Sequence, residues 1–247
     1  MFAMNPDKPQ DTLYSQPLEA ITDFVFDESV VRVFRDMIGR SVPGYSTLLS
    51  MIPVIMRKHG QHDSRAYDLG CSLGASTLAM RHGISHAKMD IVAVDNSVAM
   101  IETCAKNIAQ DSSPVPVSLH CEDIRQTHIS NASVVVMNFT LQFVAREDRL
   151  SLVKKIYDGL NPSGVFLLSE KISLAPDQQE WMTELHHEFK KANGYSELEI
   201  SQKRSALENV LVPESIIEHE QRLREAGFSR VMPWFQCFNF VSLLAIK

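Results

Sequence analysis

"YDLGCSLGAST", residues 67–77, places an apolar strand, a carboxylate and then sparse glycines at the mouth of a helix. That is the order of a nucleotide-binding turn. Gly70 and Gly74 are present, and Ser72 stands between them where a glycine-rich loop often carries a third glycine. The spacing G-x-x-x-G is not the dinucleotide fingerprint G-x-G-x-x-G, and no Gly-Lys-Ser/Thr follows to make a P-loop. The loop therefore offers backbone close approach but no phosphate cradle.

Outward from this turn the chain alternates strand and helix. RAYDLG is a strand, STLAMRHG a helix, DIVAVDN a strand ending at Asp95, and SVAMIETCAKNIAQ an amphipathic helix capped by Ser97. VPVSLHCED, SVVVMNF and VFLLSEK are further strands, with the helix REDRLSLVKKIYDGL before the last of them, stopped by NPSG. The strands are nearly continuous apolar runs, as expected when both faces of a sheet are covered. GFSRVMPWFQCFNFVSLLAIK adds two more strands joined by a tight connection. The fold class is α/β: a doubly wound, mostly parallel, seven-stranded sheet in one domain spanning 1–247. Residues 1–62 read as an N-terminal helical cap, with a helix from Asp27 onward, a break at SVPGY carrying Tyr45, and a second helix that Pro53 either kinks or restarts. Residues 63–172 form the sheet core, 173–227 a polar helical insertion over the ligand edge, and 228–247 the closing strands.

Doubly wound sheets bind ligands at the carboxyl ends of their strands, near the switch point. Those ends here carry Asp68 with the Gly70 loop, Asp95-Asn96, Asp123-Ile124 and Asn138. A carboxylate ending the second strand can accept both ribose hydroxyls. One after the third strand can accept an adenine amino group, with Ile124 over the ring. A lone aspartate at a strand end is commonly a turn former or cap, but polar ends on successive apolar strands point to a shared ligand. With an acidic residue early and no phosphate cradle, a cationic, phosphate-free nucleoside fits, and S-adenosylmethionine has that description.

Composition narrows the classes further. The 247 residues carry a formal charge of −6 and no long basic run, against direct nucleic-acid binding. Cys71, Cys104, Cys121 and Cys237 are scattered without C-x-x-C, against a thiolate zinc site or a disulfide framework. His186-His187 suggests a metal pair, but adjacent helical residues point ~100° apart, so no metal is expected. Cys71 has no histidine near it in sequence and reads as a packing residue beside the ligand. MFAMNPDKPQDTLYSQP lacks the pattern of a signal peptide, and no apolar run approaches the ~20 residues of a membrane span. A cytoplasmic protein is expected.

The D-x-G loop, AVDNS, CEDI and NFTLQF resemble class I S-adenosylmethionine-dependent methyltransferases. RSVPGYS (40–46), GLNPSG (159–164), LSEK (168–171), ANGYSELEISQKRSALENV (192–210) and WFQCFNF (234–240) resemble more narrowly the carboxy-S-adenosylmethionine synthase family, over nearly the whole chain. That resemblance implies S-adenosylmethionine as substrate, prephenate as second substrate and carboxy-S-adenosylmethionine as product. It also implies a homodimer, and hand-over of product to a downstream carboxymethyltransferase acting on a tRNA wobble uridine. It puts Tyr45 in a cap-loop site, Gly70, Cys71 and Ser72 around the amino-acid end, and Asp95 and Asn96 on the ribose. It puts Asp123 and Ile124 on adenine and Asn138 beside the sulfonium. Arg204 is implied as the carboxylate partner reaching from the other subunit, and Tyr45, Asn138 and Arg204 as the catalytic set. On this reading Ser72 needs no glycine, and its hydroxyl is free for the ligand's methionine part. Two other functions remain open: an ordinary methyltransferase on a small molecule or tRNA, and a non-catalytic nucleoside-binding partner.

Overall fold

The structure is a computed structural model describing residues 9–84 and 88–247. Its sheet holds β1 (Arg65–Leu69), β2 (Asp90–Asp95), β3 (Val117–Cys121), β4 (Ala132–Asn138), β5 (Leu160–Lys171), β6 (Arg230–Cys237) and β7 (Phe240–Ile246). The order is β3-β2-β1-β4-β5-β7-β6, parallel from β3 through β5, with β7 antiparallel to both of its neighbours. The strand order reverses between β1 and β4, so the ends of β1, β2 and β4 share one crevice.

Period-two alternation splits the strands between two cores. Val135, Met137, Phe166 and Leu168 face one layer, where Leu152, Ile156 and Leu223 meet them. Val134, Val136, Val165 and Leu167 face the other, against Leu48, Ile52, Met56 and Met80. The first layer is α5 (Arg146–Gly159) with α8 (Ile216–Ala226); the second includes α2 (Tyr45–His59) and α3 (Ala75–Gly83). α2 continues through Pro53, and Gly83 permits its contact with α3, because a Cβ there would lie 2.6 Å from the Pro53 Cα. Between β2 and β3 runs α4 (Val98–Gln110), capped by the Ser97 hydroxyl as its sequence predicts.

Three boundaries depart from the sequence expectation. β3 ends at Cys121, leaving Asp123 in the following turn. NPSG does not separate helix from strand: α5 passes directly into β5, and residues 161–164 lie in an irregular stretch between the Leu160↔Ala132 and Val165↔Val134 pairs. Tyr45 is not in a loop but opens α2, after Gly44 in the left-handed region at φ 75°.

α1 (Glu28–Ser41) starts at Asp27, whose carboxylate accepts from the Ser29 and Val30 N–H groups. Within 173–227, α6 (Pro176–Ala192) and α7 (Glu197–Leu207) gather beside α1, whereas α8 runs with α5. The Arg40 Nε donates to the Asn193 carbonyl at 2.7 Å, and His186 donates to the Ser41 carbonyl at 2.8 Å. α7 is also fastened to residues 14–24. Its Gln202 donates to the carbonyls of Tyr14 and Gln16 and accepts from the Leu18 N–H, and its Ala206 carbonyl accepts from the Phe24 N–H.

Candidate active site

The turn after β1 takes three left-handed residues, Gly70 (φ 82°), Ser72 (φ 50°) and Gly74 (φ 84°). Both glycines are required. A Cβ at 70 would overlap Thr140, and one at 74 would lie 2.6 Å from the Cys104 sulfur. Gly70 and Cys71 N–H groups donate to the Val94 carbonyl at 2.8 and 2.9 Å, locking the turn onto β2. Ser72 adopts the backbone of the missing glycine without being one. Its N–H donates to Asp95 at 2.9 Å and its hydroxyl to the Met100 sulfur at 3.3 Å. The hydroxyl expected to be free for a ligand is thus engaged with a protein thioether.

Asp95 also accepts from the Ser97 N–H at 3.0 Å, so one carboxylate joins the turns after β1 and β2. Burial raises its carboxyl, against the lowering effect of N–H donors from Ser97, Ser72 and Asn96. Each oxygen keeps a lone pair for a ribose hydroxyl. Such charge-assisted bonds contribute roughly 1.5–3 kcal/mol. Asp95→Ala is therefore expected to weaken S-adenosylhomocysteine about ten- to hundred-fold in calorimetry, and Asp95→Asn less. Unchanged affinity in Asp95→Ala would remove the ribose role.

Asn96 is exposed beside it. Asp123 is gripped by its neighbour: the Arg125 guanidinium donates to both carboxylate oxygens and also pairs with Asp148 at 2.6 Å. Hydrogen bonds from Arg125 hold the Asp123 carboxyl below its usual value. Ile124 is buried in the core formed with Leu141 and Leu152. Cys71 packs with Ala93 and Cys104; a hydrogen bond with Cys104, then burial, push its thiol up, so it offers no thiolate.

At the switch point, the Asn138 amide nitrogen donates to Ser76 Oγ at 2.8 Å, while its carbonyl oxygen is buried without a partner. A buried acceptor of this kind is costly unless a ligand satisfies it. The next residue, Phe139, has φ 58°, a strained geometry for a bulky side chain. Two anchors hold it. The Phe139 N–H donates to the Ser169 carbonyl at 2.6 Å, and the Glu170 carboxylate accepts the N–H groups of Thr140, Leu141 and Gln142 at 2.8–3.2 Å. Tyr45 lies nearby, its ring 6.3 Å from that of Phe139. Burial and then the Asp68 charge push its phenol well above the usual range, so it stays protonated. Asp68 is 1% exposed, receives the Thr77 hydroxyl at 2.6 Å, and is raised to about 7 by burial.

The fold thus brings Tyr45, the 70–74 turn, Asp95 and Asn138 around one crevice. Arg204 is exposed in the last turn of α7, in a groove of about 230 Å³ shared with His187 and Ser201. Among the described residues, no hydrogen bond or ion pair joins it to the crevice. Sequence reasoning missed the duties of Glu170 and Ser76. An acidic residue ending an apolar strand, directly after the serine of LSEK, was the available signal for the first.

Residues 66–164 match the methyltransferase domain family. The chain is 57% identical to the carboxy-S-adenosyl-L-methionine synthase of Geobacter sp. (strain M21) over 96% of its own length and 98% of that protein's. The protein of that name from Marinobacter nauticus is 57% identical, over 98% and 97% of the two lengths. The chain belongs to the carboxy-S-adenosyl-L-methionine synthase family. The synthase name is that of an enzyme, and the family shares the class I methyltransferase fold. Solved structures carry the same architecture. A putative S-adenosyl-L-methionine-dependent methyltransferase from Methanococcus maripaludis aligns with TM-score 0.59 at 18% identity, covering 92% of this chain and 96% of that one. The magnesium protoporphyrin IX methyltransferase of Synechocystis PCC 6803 aligns with TM-score 0.61 at 11% identity, covering 85% and 87%. In the synthase family the crevice suits S-adenosyl-L-methionine as substrate. A loop without a phosphate cradle, a carboxylate with free lone pairs at the end of β2 and a buried, unpartnered side-chain carbonyl at Asn138 are all compatible with a nucleoside that carries a sulfonium.

Proposed function

We propose that the protein converts S-adenosyl-L-methionine and prephenate to carboxy-S-adenosyl-L-methionine, phenylpyruvate and water. The observation that carries the reading is the 57% identity to a named synthase over nearly the full length of both chains. Prephenate aromatises by losing carbon dioxide and hydroxide, leaving phenylpyruvate. Hydroxide takes a proton from the sulfonium methyl and becomes water. The electron pair left on that carbon attacks carbon dioxide, making the new carbon–carbon bond and a carboxylate. The positive sulfur acidifies the methyl, and a water-poor crevice keeps both fragments near it. The Asn138 carbonyl supports the cation electrostatically, the neutral Tyr45 phenol can donate a hydrogen bond, and Arg204 pairs with the new carboxylate.

The same reading has the protein act as a cytoplasmic homodimer in which Arg204 reaches the partner's site. It hands its product to a carboxymethyltransferase for wobble uridine, without gripping nucleic acid itself. Among the described residues no helix is long and apolar enough to cross a membrane.

Incubation with both substrates should release phenylpyruvate and a carboxylated sulfonium nucleoside, read by chromatography with mass detection. S-adenosylhomocysteine should not accumulate, because the methyl carbon stays on sulfur. Its appearance in step with consumption of an acceptor would favour an ordinary methyltransferase instead.

A further inference from the structure

The end of β5 carries a charge that the assignments above leave unused. Alternation along β5 sends Glu170 toward α5, where it clamps the 140–142 turn, and sends Lys171 to the opposite face. Lys171 is the register partner of Phe240, and lies two residues past Ser169, the register partner of Asn138. Cross-strand partners share a face, so Lys171 stands beside the Phe240 ring. That ring lies 6.0 Å from Phe139 and 5.0 Å from His186 of α6. A second lysine, Lys190, follows one turn after His186 on α6.

Both lysines are half-buried residues, and among the described residues neither has an ion-pair or hydrogen-bond partner for its side chain. Three acids on or fastened to α6 and α7 have other partners. Glu188 and Glu197 each pair with Lys191 at 3.0 Å, and Asp11 receives the Tyr195 hydroxyl at 2.5 Å and lies 3.5 Å from Lys203. The cations feel one another: after burial, Arg204 lowers Lys171, and Lys203 with Lys171 lower Lys190, to about 7. Like charges held together out of water destabilise the fold unless an anion compensates them.

We propose that Lys171 and Lys190 form the carboxylate-binding half of a second-substrate pocket whose floor is Phe139 and Phe240. The ligand class is a small dicarboxylate carrying a six-membered ring. The ring lies on the aromatic floor, and its carboxylates meet the ammonium groups, beside Asn138 and the sulfonium. This assignment rests on the reading that prephenate is the second substrate. It adds which residues recognise it and why the nucleoside does not need them. Lys171 and Lys190 are substrate-positioning residues in this scheme.

The test uses full-length protein saturated with S-adenosylhomocysteine and titrated calorimetrically with prephenate, alongside turnover of S-adenosylmethionine. Losing one charged contact should weaken prephenate about ten- to hundred-fold in Lys171→Met and in Lys190→Met. KM for prephenate should rise to match, and arginine at either position should recover part of the loss. S-adenosylhomocysteine affinity should stay within about two-fold, which also reports an intact fold. If the wild type turns prephenate over and both methionine variants bind it normally, the pocket assignment is overturned and the reaction stands. If the wild type neither binds nor turns over prephenate, the reaction falls. Malonate then decides the pocket: binding to the wild type that is lost in the variants sustains it, and equal or absent binding ends it.

Discussion

Arg204→Ala is expected to lose roughly 2–5 kcal/mol of affinity for carboxy-S-adenosyl-L-methionine, the range found when one partner of a desolvated charge pair is truncated. Affinity for S-adenosyl-L-methionine should change little or rise. The asymmetry follows from charge. A guanidinium offers a planar fork that meets a carboxylate bidentately. The unmodified sulfonium methyl has no anion to offer, and its positive sulfur repels the arginine. Carboxylation places a negative group between the two cations. Arg204→Lys should recover only part of the loss, since an ammonium keeps the charge without the fork. In a homodimer with exchanged arginines, mixing Arg204→Ala with an Asp95-disabled variant should restore some turnover through hybrid sites. Calorimetry of both ligands on the same variant decides it. Equal losses would mean that Arg204 supports α7 rather than the carboxylate.

The sheet and the turn after β1 were legible because their signals are local. Continuous apolar runs mark strands covered on both faces, Ser97 and Asp27 announce helix starts, and Gly70 and Gly74 mark left-handed backbone. What escaped depends on partners distant in sequence. Glu170 caps a turn about 30 residues earlier, and Gln202 fastens residues some 185 positions away, so neither has a local pattern. LSEK looked like one motif, yet strand alternation puts its last two residues on opposite faces, and only Glu170 holds the 140–142 turn. The grip of Arg125 on Asp123 was within two residues and could have been anticipated as a competitor for the adenine role.

Arg149→Met is expected to cost about 3–5 kcal/mol of folding stability, the range for breaking a buried ion pair from one side. Arg149 is fully buried. It meets Glu214 at 2.5 Å, and donates to the carbonyls of Val144, Gln142 and Val212 at 2.9–3.2 Å. Methionine keeps the aliphatic stem but removes the donor to the Val144 and Val212 carbonyls, while the Gln142 carbonyl keeps the Val212 N–H at 3.0 Å and Arg222 is the remaining close partner of Glu214. Urea unfolding should show the loss as a lower midpoint at unchanged slope. Glu214→Leu added to Arg149→Met should regain part of it, because a buried carboxylate that has lost one of its two close guanidinium partners goes as well. A loss below about 1 kcal/mol would place the cluster among ordinary surface pairs. The pH dependence has a definite sign. Burial raises the Glu214 carboxyl, but Arg149 and Arg222 lower it further, leaving it below its unfolded value. The stability it contributes is present at neutral pH and is lost as pH falls through that depressed value. Arg149→Met should flatten this acid limb.

Ser72 bears on the unfolded chain as well as on the site. Holding a residue with a side chain at φ 50° costs about 1–2 kcal/mol relative to right-handed backbone. Glycine would remove that strain, but it would also widen the range of conformations surrendered on folding, an opposing contribution of about 0.4–1 kcal/mol. It would further delete the hydroxyl seated on the Met100 sulfur. Part of the apparent penalty for a serine at this turn is thus balanced by a smaller loss of disorder, and this left-handed bend is one whose alternatives are fewer before the protein folds than a glycine's would be.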